Sequence, residues 1–150
     1  SEIGSREFWE GAKNHWGVQV SDEQLAAIWL EAYEPIAGTV SLIDRLRVAG
    51  YELLYLSDNT QDRVDYLEAT YRFMHRFAAG VFSHDAGMRK PDPRIYELLL
   101  EKATHPAAAC VYIDDKPAML VPAQNMGMTV IAFDNPDQVE VDLVRHGLVF

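Results

Sequence analysis

The stretch VYIDDKP, residues 111–117, sets two carboxylates, Asp114 and Asp115, side by side at the end of an apolar run. Adjacent like charges repel, so the pair calls for a cation or a metal. Two other apolar runs also end in polar groups. Ser57-Asp58-Asn59-Thr60 follows YELLYL, and Lys90 lies in the loop after GVFS (80–83). A hydroxyl, a lysine and an acid pair suit phosphoryl transfer if they meet. The hydroxyl donates a hydrogen bond to a phosphate oxygen, and the lysine neutralises charge that grows in the transition state. The acids offer hard oxygens to Mg2+, and the metal in turn offsets their repulsion. The trio lacks a nucleophile.

Each group also has a plainer reading. Ser57 to Thr60 can cap the helix that follows. Lys90, held extended by the proline after it, can be an ordinary solvated loop lysine. Asp114 and Asp115 can cap the helix opened by Pro117. His84 and Asp85 are expected to serve their loop, and Cys110 and the tryptophans to lie in the core. Capping alone, however, does not produce a hydroxyl, a cation and an acid pair at the ends of three different strands in this order.

The elements that must position these groups follow from periodicity. A helix is expected over 5–16, carrying Phe8, Trp9 and Trp16. Ser21 and Gln24 form a capping-box pattern, followed by Leu25, Ile28, Trp29 and Ala32 at amphipathic spacing. Pro35 and Gly38 are expected to end that unit. Thr39 is expected to cap a helix with core face Val40, Ile43 and Leu46, and Gly50 suits its C′ position. Strands are expected at 51–57, 80–83, 109–113 and 129–133. Helices are expected over 62–72, from Pro93 behind an Asp92 cap with Ile95, Leu98 and Leu99 inward, from Pro117 to Gly127, and over 136–146. Alternating helices and short β-rich runs predict an α/β fold, a parallel sheet covered on both faces. Such sheets place their sites at the carboxyl ends of the strands, where all three clusters sit.

Composition narrows the classes. A chain of 150 residues suits one domain with a substantial core. The formal charge of −10 argues against a general nucleic-acid binder. Lone Cys110 gives no disulfide framework. No apolar run is long enough to span a bilayer and no signal-peptide pattern opens the sequence, so no membrane association and a cytoplasmic location are expected.

YLSDNT, RKPDPRIYELLL and VYIDDKPAMLVPAQNMGM resemble the second, third and fourth motifs of the haloacid dehalogenase-like (HAD) hydrolase superfamily. The resemblance implies a Rossmann-like core over residues 39–150, preceded at 1–38 by the end of a helical cap. It implies a Mg2+-dependent phosphatase acting on small phosphomonoesters through an aspartyl-phosphate. Ser57 is then the motif-two hydroxyl, with Asp58 and Asn59 beside it at the phosphate. Lys90 is the motif-three cation, and Asp114 and Asp115 are the metal-binding acids, Asp115 being favoured.

The sequence departs from the family at its first motif, an apolar strand ending D-x-D whose first Asp attacks phosphorus. No such segment is found here. The family places that strand between the one ending at Ser57 and the one ending at Ile113. Either those two strands are expected to pair with each other, or a segment from elsewhere, including a second copy, fills the slot. The 150-residue chain is expected to be inert by itself. A second departure, Pro122 inside the helix after motif four, predicts a kink. Three alternatives stand beside this reading. A metal-free haloacid dehalogenase would lack the acid pair. A response-regulator receiver places its acids first and its lysine last, the reverse of this order. A nucleophile-free binding module remains open.

Overall fold

The computed structural model describes residues 10–150 except 12, 16 and 18. The chain divides into two compact units, residues 1–34 and 35–150. In the first, residues 10, 11 and 13–15 are helical, while Phe8, Trp9 and Trp16 lie outside the described residues. Helix α1 (Asp22–Glu31) starts at a complete capping box: the Gln24 amide donates to Ser21 Oγ, and the Ser21 amide donates to Gln24 Oε1. Of its expected core face only Leu25 is buried; Ile28 is 60% exposed and Trp29 37%. Trp29 is therefore not a core residue. A unit this small buries little of its own apolar surface.

The second unit holds two βαβ elements in series. In the first, β1 (Leu54–Ser57), α3 (Gln61–Tyr71) and β2 (Ala79–Phe82) follow α2 (Ala37–Val48). A single helical turn, α4 (Ser83–Ala86), and α5 (Pro93–Lys102) lead to the second, made of β3 (Val111–Asp114), α6 (Pro117–Asn125) and β4 (Thr129–Ala132). Helix α7 (Pro136–Arg145) closes the unit. No described helix is long and apolar enough to cross a membrane.

The strands form two separate parallel pairs, β1–β2 and β3–β4. Among the described residues β1 and β3 do not pair, and each has one ladder partner. The Leu53 carbonyl accepts from the Ala78 amide, and the Cys110 and Asp114 carbonyls accept from Thr129 and Phe133. Parallel ladders alternate, so Leu54 and Leu56 turn their backbone groups away from β2, and Val111 and Ile113 turn theirs away from β4. Of the two expected outcomes, direct pairing of β1 with β3 does not occur among the described residues. Both strands were expected to be buried on each face, yet β1 is half-buried throughout and Ile113 is exposed. An edge without a neighbour leaves such groups to solvent.

Helices cover both faces. On one, Ile95, Tyr96 and Leu99 of α5 pack with Val81, Tyr112 and Leu120. On the other, Leu42 and Leu46 of α2 pack with Ile131, Val139 and Leu143. Half-buried Leu54 and Leu56 join the first cluster, and Leu53 and Val111 the second, so both cores bridge the two strand pairs.

Three local expectations change. Thr39 does not cap α2, which begins at Ala37 behind Ile36; the Thr39 hydroxyl lies buried inside the helix. Gly38 does not end a unit either. A Cβ there would sit 2.6 Å from Pro136 Cγ, so Gly38 lets α2 approach the start of α7. Strands β1 and β3 begin three and two residues late because Tyr51 and Leu53 pack against the second core ahead of the ladder, and Cys110 follows a 3₁₀ turn over Ala107–Ala109. Gly50 and Gly127 take positive φ just past their helices, as C′ residues do. Helix α6 continues through Pro122 to Asn125.

Candidate functional site

Lys90 ties the two strand pairs together. Its peptide to Pro91 is cis. Its Nζ donates to Asp114 Oδ2 at 2.7 Å and to the Leu56 carbonyl at 3.3 Å, the carbonyl that β1 turns away from β2. Its backbone amide donates to Asp58 Oδ1 at 3.1 Å. One residue thus joins the ends of β1 and β3. The ion pair is nearly dry, with side-chain exposures of 14% for Lys90 and 6% for Asp114. Removing either partner would strand a buried charge.

Asp114 is the last residue of β3 and takes two further hydrogen bonds. Tyr112 donates its hydroxyl to Oδ2 at 3.2 Å, and the Lys116 amide donates to Oδ1 at 3.0 Å. Burial pushes the Asp114 carboxyl up, but the bonds from Lys90 and the Lys116 amide outweigh it and hold the group below the usual carboxylate range. Burial drives the Tyr112 phenol far upward, helped by Tyr96 and the Asp114 charge, so Tyr112 stays a donor. Asp115 is exposed and makes no hydrogen bond or ion pair among the described residues. The capping reading therefore applies to Asp114 in part, through Lys116, and not to Asp115.

At the end of β1 the contacts of Ser57 run through an uncharged side chain, Asn59. Ser57 Oγ accepts from Asn59 Nδ2 at 3.2 Å. Arg63 donates to Asn59 Oδ1 at 3.3 Å, and the Asn59 backbone bonds Ser83 and His84. Thr60 stands at the N-cap of α3 without a side-chain cap bond, so Ser57, Asp58 and Asn59 are held by other partners than the helix start. Among the described residues, no three His, Cys, Asp or Glu side chains gather into a metal-holding group.

Two hydrogen-bonded groups thus meet at the carboxyl edge, Ser57 with Asn59 and Lys90 with Asp58 and Asp114, joined through the end of β1, and Asp115 adjoins the second. Sequence reasoning missed Tyr112, whose place in an apolar run signals only core. It left His84 to its loop and gave Ser83 no role beyond ending the GVFS run, although their position at the end of β2 was a usable signal.

A parallel α/β fold with a carboxyl-edge lysine between a Ser-Asp-Asn turn and an Asp-Asp end defines the class. The sequence pattern of the haloacid dehalogenase-like hydrolases matches residues 9–133, and the chain belongs to that family. It is 35% identical over 63 residues to the chloroplast flavin mononucleotide hydrolase 1 of Arabidopsis thaliana, a match covering 42% of this chain and 26% of that protein. It is 30% identical over 94 residues to bifunctional epoxide hydrolase 2 of Mus musculus, covering 60% of this chain and 17% of that one. The chain thus spans only 26% and 17% of the length of these relatives. Among solved structures it resembles a HAD family enzyme of Bacteroides thetaiotaomicron in complex with magnesium and inorganic phosphate, at 24% identity and TM-score 0.73 over 88% of this chain and 70% of that one. It also resembles a HAD-like family hydrolase of Porphyromonas gingivalis, at 25% identity and TM-score 0.72 over 93% of this chain and 73% of that one.

Proposed function

We propose that this chain carries the phosphate- and metal-binding half of a phosphatase acting on small phosphomonoesters. The observation that carries this reading is Lys90 Nζ, held between Asp114 Oδ2 and the Leu56 carbonyl at the carboxyl edge. There it faces both the Ser57 turn and the acid pair. Ser57 donates its hydroxyl to a phosphate oxygen, Asn59 and Asp58 shape the turn around it, and Lys90 offsets the charge on the transferring group. The Arabidopsis relative is named for hydrolysis of flavin mononucleotide, itself a phosphomonoester, and the Bacteroides enzyme was solved with magnesium and phosphate. Both support the class.

The residues present fit Mg2+, which takes one or two carboxylates and completes its shell with waters and phosphate oxygens. Exposed Asp115 is the favoured ligand, with Asp114 beside it. When bound, the ion would draw charge from the phosphoryl oxygens. The attacking carboxylate would come from a segment that adds a strand to the free edges of β1 and β3.

A binding module without turnover is the second reading. The observation on its side is that Asp58 and Asp114 are already engaged by Lys90. Assay of the 150-residue chain with Mg2+ on an aryl phosphate is expected to show no turnover. Phosphate binding, read by calorimetry, is expected and should weaken about tenfold or more in Ser57→Ala, the worth of one charge-assisted hydrogen bond. Turnover on the order of 1 s⁻¹ that survives Ser57→Ala would place the site elsewhere.

A further inference from the structure

Ser57 is tied into a chain of contacts that runs back through β2, and its order is informative. Arg63 can only donate, so the Asn59 atom facing it is the amide oxygen. The atom facing Ser57 is then the nitrogen, and Ser57 Oγ accepts. An oxygen that accepts there keeps its own proton for another partner. Asn59 is itself gripped by its backbone. Its amide donates to Ser83 Oγ at 3.1 Å, and its carbonyl accepts from that same hydroxyl at 3.3 Å. The carbonyl also lies 2.9 Å from His84 Nδ1. A carbonyl cannot donate, so Nδ1 carries a proton.

The ring that supplies this proton is fixed by packing. His84 stacks on Phe82 with centroids 5.4 Å apart, Phe82 meets Tyr55 at 4.5 Å, and Tyr55 meets Phe77 edge-on at 5.5 Å. Tyr55 lies flat against Gly80, its register partner, where any Cβ would collide with the ring.

We propose that Ser83 and His84 are positioning residues for Ser57: by gripping the Asn59 backbone they hold its side-chain amide on the Ser57 oxygen, which leaves the Ser57 hydroxyl proton aimed outward for a phosphate oxygen. The inference rests on the phosphate-site reading above, and its test separates the two.

Two substitutions at His84 divide its roles. His84→Phe keeps the stacked ring and removes the donor. His84→Asn removes the ring and keeps a donor at the Nδ1 position. Nitrogen-15 NMR of the parent should show a protonated Nδ1, and the Asn59 side-chain amide resonances should shift in His84→Phe and in Ser83→Ala while staying near their parent positions in His84→Asn and Ser83→Thr. Affinity for inorganic phosphate with Mg2+ present should fall roughly fivefold in His84→Phe and Ser83→Ala, the worth of one neutral hydrogen bond, and return in the two conservative variants. If His84→Phe behaves as the parent while His84→Asn loses affinity, ring packing alone matters and the proposal is overturned. An unprotonated Nδ1 overturns it as well. If Ser57→Ala leaves phosphate affinity unchanged, the phosphate-site reading fails, while the Asn59 resonances still decide whether Ser83 and His84 position the turn.

Discussion

The two ends of the constellation are built on opposite principles. At the end of β3 a buried carboxylate is held by a cation, a phenol and an amide, and the Lys90–Asp114 pair is almost closed to solvent. At the end of β1 Ser57, Asn59 and Ser83 are uncharged, and they are held through Asn59 by side-chain and backbone hydrogen bonds. A charged pair in a dry setting is strongly coupled, because losing one member leaves the other uncompensated. A neutral network degrades more gently, since each bond is worth about 1 kcal/mol net. The β3 end should therefore dominate stability and its pH dependence, while the β1 end chiefly sets geometry.

Lys90→Met is the sharpest way to break this contrast. It leaves Asp114 buried without its cation and should cost about 3 kcal/mol, read as a lower urea midpoint at neutral pH. If Ser57→Ala costs as much, the two ends are not different in kind.

The pH dependence comes next. The Asp114 carboxyl is held below its ordinary value, so the stability it contributes is present above the unfolded aspartate range near about 4 and is lost as pH falls through its lower folded value. Without Lys90, burial pushes the carboxyl upward instead. The deficit of Lys90→Met relative to the parent should thus be largest near neutrality and narrow as the carboxylates protonate. Denaturation midpoints collected across the acid range would show it, and a deficit independent of pH would mean that Lys90 acts by packing.

Gly80→Ala tests the support beneath the β1 end. The new Cβ would meet the Tyr55 ring, and overpacking of this kind should cost about 2 kcal/mol, seen in the thermal midpoint together with altered near-ultraviolet dichroism of the Tyr55 stack. The smallest effect is expected from Ser57→Ala, under about 1 kcal/mol in urea, because Asn59 can turn its amide to water at a half-exposed site.

Much of this layout was legible. Gly50, Pro93 and Gly127 mark helix boundaries because each meets a backbone demand that few residues satisfy. Ser57, Lys90 and Asp114 were legible as strand ends because polar groups interrupt apolar runs there. Gly38 read as a terminator because its reason for being glycine is Pro136, nearly a hundred residues away. The same holds for Tyr112. Its apolar neighbours say only that it is core, and its hydroxyl finds Asp114 only once β3 is pleated, two residues along on the same face. The split between β1 and β3 was readable only as a strand position with no segment to fill it. The backbone alone shows how the chain settles that position: two pairs under a shared roof of helices, with one lysine across the opening.

That opening has a signature in solvent exchange. Along β1 and β3 the amides alternate between those turned to a partner strand and those turned away. Leu54, Leu56, Val111 and Ile113 fall in the second set and should exchange deuterium quickly, while Tyr55, Tyr112 and Asp114 exchange slowly. A map with period two along both strands would then serve as an occupancy gauge. Any strand that enters between β1 and β3 must slow the fast set and leave the slow set almost unchanged, whatever its sequence and whether or not it carries a nucleophile.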